Sequence, residues 1–164
     1  MKRLLCTVAL VGMLVAPGVV QAQMSAGAFG AYGTDDPATF GIGGFVAIPL
    51  TQLGPGFAIV PDFTYFFPDV GSIWELNGDL MYSFPVAADA PIAPFAFAGL
   101  NYVHFSVDVL GTSFSSSDTG LNVGGGANFP MGSLTPFAGA KLELGGGENL
   151  ILFGGIGFPI GGGA

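Results

Sequence analysis

The chain has 164 residues, of which 51% are hydrophobic and only 9% charged, and its mean hydropathy is +0.67. Eleven acidic side chains face three basic ones, for a formal net charge of −8. A soluble domain carries about 25% charged residues, so an ordinary aqueous surface is excluded, and so is a nucleic-acid groove, which needs a basic footprint.

Residues 1–22 read as a secretory signal peptide. Lys2 and Arg3 form a charged start, Leu4 to Val15 an apolar core, Pro17 and Gly18 a break, and Val20-Gln21-Ala22 a small-residue cleavage site. The core is too short for a membrane-spanning helix of about 20 apolar residues. Cys6 lies inside this segment with the charges just before it, whereas a lipid-bearing cysteine needs the apolar run ahead of it. The remainder, 23–164, is long enough for one domain. It has no cysteine, hence no disulfide framework, and Lys141 is its lone basic side chain. Nor does it hold 18 consecutive apolar residues, so it offers no transmembrane helix. An apolar exported chain without such a helix can meet lipid as a closed β-barrel, because backbone N–H and C=O groups in lipid must be paired internally.

Eight strand-like runs follow in order: 24–32, 39–49, 57–67, 73–85, 93–107, 119–130, 135–144 and 149–160. Their typical length suits a tilted spanning strand of about 9–11 residues. The alternation is clearest in the fourth. There Trp74, Leu76, Gly78, Leu80 and Tyr82 share one face, and Glu75, Asn77, Asp79, Met81 and Ser83 the other. The sixth sets Leu121 and Val123 against Asn122 and Asn128, and the seventh sets Leu142 and Leu144 against Phe137, Gly139, Lys141 and Glu143. An apolar row opposite a small, polar one suits a strand with lipid outside and a tight polar interior within.

A phrase of bulky apolar residue, proline and aliphatic closes the second, fourth, sixth and eighth runs: Ile48-Pro49-Leu50, Phe84-Pro85-Val86, Phe129-Pro130-Met131 and Phe158-Pro159-Ile160. Proline has no N–H for a ladder and belongs at strand ends, so the four phrases mark one rim, where both termini lie. Pro61 falls inside the third run and predicts a bulge or a shifted boundary. Two aromatic girdles are expected. Phe57, Phe84, Phe95, Phe129 and Phe158 would lie near the proline rim, and Tyr32, Phe40, Tyr65, Phe67, Trp74 and Phe105 near the other. Links at the proline rim read as short. The Ser-rich "VLGTSFSSSD" reads as the longest loop of the opposite rim, which also gathers Asp35, Asp36, Asp69, Asp108, Asp118 and Glu148.

With "PFAFAGLNY", "TGLNVGGGANFPMG", "LTPFAGAKLEL" and "NLILFGGIGFPI", the chain resembles the small outer-membrane β-barrel, porin-like proteins of Gram-negative bacteria, about the size of the OmpX and OmpA barrels. The resemblance covers nearly all of 23–164. It implies an all-β, eight-stranded, antiparallel up-and-down transmembrane barrel in the outer membrane, with the short turns periplasmic. It also implies a structural, surface-interaction or narrow porin-like role and no catalysis. The implied partners are outer-membrane lipid, lipopolysaccharide and the outer-membrane assembly machinery, with no cofactor and a monomeric state. Members usually end on an aromatic residue. Here Phe158 is followed by "PIGGGA".

The candidate site is an interior polar network of Asp62, Glu75, Asn77, Asp79, Asn122, Asn128, Lys141 and Glu143, since buried charges need partners. The glycine triplets at 124–126 and 145–147 do not fit a phosphate-binding GxxxxGK[ST] loop. They are better read as room for packing in a narrow barrel. His104 and Ser106 share the outward row of the fifth run and resemble the His-x-Ser pair of outer-membrane lipid A deacylases, in which His is the base for a nucleophilic Ser. They are the catalytic candidates of a hydrolase alternative. A secreted lipocalin-like binding barrel is a further alternative and would need a polar exterior.

Overall fold

The computed structural model describes residues 23–34, 39–109, 111–145 and 148–160. The expected signal peptide, Asp35, Asp36 and the GGGA tail lie outside them. Eight strands form in chain order: β1 (Met24–Gly33), β2 (Thr39–Pro49), β3 (Phe57–Phe66), β4 (Ser72–Ser83), β5 (Ala93–Val109), β6 (Thr112–Asn128), β7 (Thr135–Leu144) and β8 (Asn149–Ile160). Each pairs antiparallel with its sequence neighbours, and β8 returns to β1 from Met24↔Ile160 to Gly33↔Ile151, closing the barrel.

The alternation in sequence becomes two faces. Ile42, Leu76, Leu80, Leu100, Leu121 and Leu152 project outward and are exposed. On the opposite parity Thr64, Glu75, Asn77, Asp79, Asn101, Asn122, Lys141 and Glu143 are buried in the lumen. Polar residues inside and leucines outside invert a water-soluble fold. So broad an apolar belt in water would be an association surface, which is the reverse of the polar exterior that a soluble lipocalin-like barrel needs.

Four expectations are corrected. Pro61 causes no bulge. The β2–β3 register is the same on both sides of it, from Phe45↔Asp62 to Ile48↔Ile59, and the ladder merely lapses at the two positions between. On its other side Pro61 faces Gly78 in an unbroken β3–β4 ladder. The missing N–H therefore costs pairing with one neighbour and leaves the register unchanged.

The Ser-rich segment is not a loop. β5 and β6 stay paired from Ala93↔Asn128 to Val109↔Thr112, around a turn in which Gly111 takes φ +82°. Only glycine adopts that angle without cost. β4 leaves β5 after Ser106, and β7 reaches β6 only at Leu121, so the pair rises from the barrel as a two-stranded ribbon. Cross-strand side chains bind it, with Ser113 Oγ donating to Asp108 Oδ1 and Tyr102 Oη donating to Ser117 Oγ at 2.9 Å.

The links at the proline rim (50–56, 84–92 and 129–134) are no shorter than those at the other (34–38, 67–71, 110–111 and 145–148). The rims differ instead in the ribbon. Finally, two girdle aromatics belong to inward rows. Phe95 is 7% exposed inside the lumen, and Phe105 lies on the parity of buried Asn101.

Candidate functional site: the barrel lumen

Inward rows from every strand fill the half of the lumen nearer the ribbon. On one side Ala31, Phe66 and Ile151 form an apolar plug with Phe29 and Ile73 against it. On the other lies a polar cluster. Lys141 Nζ donates to Glu75 Oε2 across the lumen at 3.2 Å, joining β7 to β4. It also lies 2.7 Å from Glu143 Oε1, two residues along β7, as an ion pair outside hydrogen-bond geometry. Asn77 Nδ2 donates to Asp62 Oδ1 at 2.8 Å. Asn122 Nδ2 reaches Asn77 Oδ1 at 2.9 Å and Asp79 Oδ1 at 3.2 Å. A charged group without such partners inside a barrel would cost several kcal/mol.

Seven of the eight network candidates thus meet in two linked groups, Glu75–Lys141–Glu143 and Asp62–Asn77–Asn122–Asp79. Asn128 stands apart, half-buried near the proline rim. Asn101 escaped the sequence reading, although its parity with Phe97 and Gly99 places it inside. It is 4% exposed and its Oδ1 has no donor.

The half of the lumen nearer the proline rim is not tight and polar. Phe29, Phe45, Phe95, Phe97, Phe137 and Phe153 all point into it. Their rings form a wall, with Phe45 edge-on to Phe137 at 5.4 Å, Phe137 beside Phe153 at 6.3 Å and Phe97 beside Phe153 at 6.0 Å. Glycines of adjoining strands seat them. A Cβ on Gly139 would come within 2.6 Å of Phe153 Cζ, and one on Gly27 would collide with the Phe45 ring. Rings seated in the space over glycines keep to the wall. The result is a chamber of about 480 Å³ with Asp62, Thr64, Asp79 and Lys141 among its lining residues. A barrel of this size is expected to be filled by side chains, and here only the ribbon half is.

His104 and Ser106 lie on the outward face but engage different partners. His104 Nδ1 is 2.8 Å from Ser117 Oγ, and its ring lies 5.1 Å from that of Trp74. Ser106 Oγ is 2.8 Å from Ser72 Oγ. Ser106 is therefore not the hydroxyl on His104; that place is taken by Ser117, which ties the histidine to β6 beside Trp74. Among the described residues no group of three or more His, Cys, Asp or Glu side chains is placed to hold a metal ion.

No protein-family model and no curated protein matches this chain. Solved structures do. The N-terminal β-barrel domain of Pseudomonas aeruginosa OprF matches with a TM-score of 0.71 at 17% identity, covering 85% of this chain and 98% of that one. Neisserial surface protein A matches with 0.65 at 17% identity, over 83% and 95%. Ail, the attachment invasion locus protein of Yersinia pestis, matches with 0.58 at 14% identity, over 84% and 95%. A second Ail structure is a complex with the heparin analogue sucrose octasulfate. The chain shares the closed eight-stranded fold of these outer-membrane barrels.

Proposed function

We propose that the chain is an integral outer-membrane barrel that acts by surface contact through its β5–β6 ribbon, without catalysis. The outward leucine belt matches a lipid surround, and the β1–β8 closure leaves no open edge within it, which favours a monomer. The filled half of the lumen favours a structural and surface role over conduction. Insertion would depend on the outer-membrane assembly machinery, with lipid and lipopolysaccharide against the belt.

The observation that carries the reading is the ribbon edge. From Thr112 to Thr119, no strand of the described residues pairs with β6 on its β7 side. The stretch contains no lysine or proline, and Asp118 near its base is its one charged residue of the kind that blunts exposed edges. Such an edge accepts an extended segment of another protein as an added strand, the backbone supplying affinity. A polyanion of the kind seen on Ail fits this chain poorly. Asp69, Asp108, Asp118 and Glu148 sit at or near the ribbon end, and the sole Lys or Arg among the described residues, Lys141, is buried.

Residues 23–164 contain no cysteine, so single-cysteine labelling in intact cells is a direct test. Ser115→Cys, on the ribbon, is expected to react with a membrane-impermeant maleimide in intact cells. Asp89→Cys, in the proline-rim link, should react only after the outer membrane is permeabilised. The opposite pattern would put the ribbon in the periplasm and end the surface-contact reading.

A further inference from the structure

The chamber brings together three features that the surface role leaves unused. Its walls are phenylalanine rings. It opens toward the proline rim, where Ser25, Ser83 and Thr135 border it, while the other half of the lumen is packed. And its lining includes two carboxylates, Asp62 and Asp79, that have no cation in ion-pair contact among the described residues. The nearby ammonium, Lys141, is paired with Glu75 and Glu143 instead, and no Lys or Arg nitrogen of the described residues lies within 4.0 Å of either aspartate.

The hydrogen bonds fix where these aspartates face. Asp62 Oδ1 is held by Asn77, and Asp79 Oδ1 by Asn122. The asparagines themselves are linked, so a chain of amides holds one oxygen of each carboxylate. Among the described residues no hydrogen-bond donor reaches either Oδ2, and neither is sealed in the wall. Asp79 is nevertheless 5% exposed as a residue, a carboxylate nine-tenths buried whose free oxygen has only the chamber to face. A buried carboxylate without a counter-ion is costly, and its complement is a positive charge. Aromatic ring faces attract cations too, and exclude strongly hydrated anions.

We propose that the lumen is a binding site for a small organic cation with an apolar body, such as an aryl-alkyl ammonium, entering from the proline rim. The ammonium sits between Asp62 and Asp79, donating to their free oxygens. The apolar body lies against Phe45, Phe97, Phe137 and Phe153. The chamber volume of about 480 Å³ falls in the range of small-molecule pockets. The site is separate from the ribbon and does not depend on it.

The test uses the protein in zwitterionic lipid nanodiscs with three matched probes: phenethylammonium, neutral 2-phenylethanol and anionic 3-phenylpropionate. Binding is read by calorimetry and by chemical-shift changes of the phenylalanine rings. Phenethylammonium is expected to bind and to shift the chamber rings, with the other two weaker by about tenfold or more, the worth of a charge-assisted hydrogen bond. Asp62→Asn and Asp79→Asn, which keep shape and amide contacts, should each weaken the ammonium by a similar factor. Val60→Phe, which fills the chamber from β3, should abolish binding while Asp62 and Asp79 remain. Equal binding of the three probes, indifference to both asparagine variants, or no binding at all would overturn the proposal. So would displacement by magnesium in a protein unaffected by Val60→Phe, which would mark an inorganic ion site.

Discussion

Lys141→Met is expected to cost about 3–5 kcal/mol of folding stability, the penalty for removing one partner of a buried ion pair. Lys141 is 7% exposed and holds Glu75 from β4 and Glu143 from its own strand. Without the ammonium, two glutamates face each other in a packed lumen with no cation. The shape change is small, since methionine fills most of the same volume, so the loss reports charge rather than a cavity. The variant Lys141→Met/Glu75→Gln/Glu143→Gln should recover most of it, because replacing a whole buried ionic group is often neutral. The measurement is urea-dependent unfolding from lipid vesicles. A single variant as stable as wild type, or a triple variant no better than the single, would remove the ionic cluster from the account of what holds the barrel.

Leu80→Arg should cost about 2–4 kcal/mol, the depth-dependent penalty for a cation on the lipid face near the midplane. Leu80 lies mid-strand on β4, 44% exposed, between Ile59 and Ala98. Its chain neighbour Asp79 points the other way. Asp79→Asn should fold with little loss, since the amide still contacts Asn122 and a buried charge is removed. Folding yield into vesicles compares the two. Equal losses would mean that the belt does not meet lipid.

The faces of the strands were legible because period-2 alternation fixes parity. Leu76 and Leu80 outside, Glu75 and Asp79 inside, follow from "WELNGDL" alone. Parity was also enough to place Asn101 inside, and Phe95 and Phe105 on inward rows. Distance from the rim was the wrong guide to those aromatics, because a ring near a rim joins a girdle only if it also points outward. What the alternation does not contain is the stagger between strands. That Lys141 of β7 meets Glu75 of β4 depends on the accumulated register around the closed sheet, and no local pattern encodes it.

Phe137 and Gly139 were read as one small, polar row. Their relation is spatial: glycines of neighbouring strands seat the rings and hold the chamber open. The ribbon is hidden in the sequence for a different reason. Serine runs are turn-like by composition, yet Ser113 and Ser117 serve as cross-strand partners of Asp108, Tyr102 and His104. A residue type common in loops also makes a polar, exposed hairpin once a facing strand supplies the bonds.

The central claim is that the closed sheet sits in a membrane with its leucines outward. It is tested most directly by fractionating cells that express the full chain and running the membrane protein on gels with and without boiling. Recovery with outer membranes, with faster migration before boiling than after, is the expected result, because a closed barrel resists detergent until heated. Recovery in the soluble periplasm with no heat-dependent shift would contradict it.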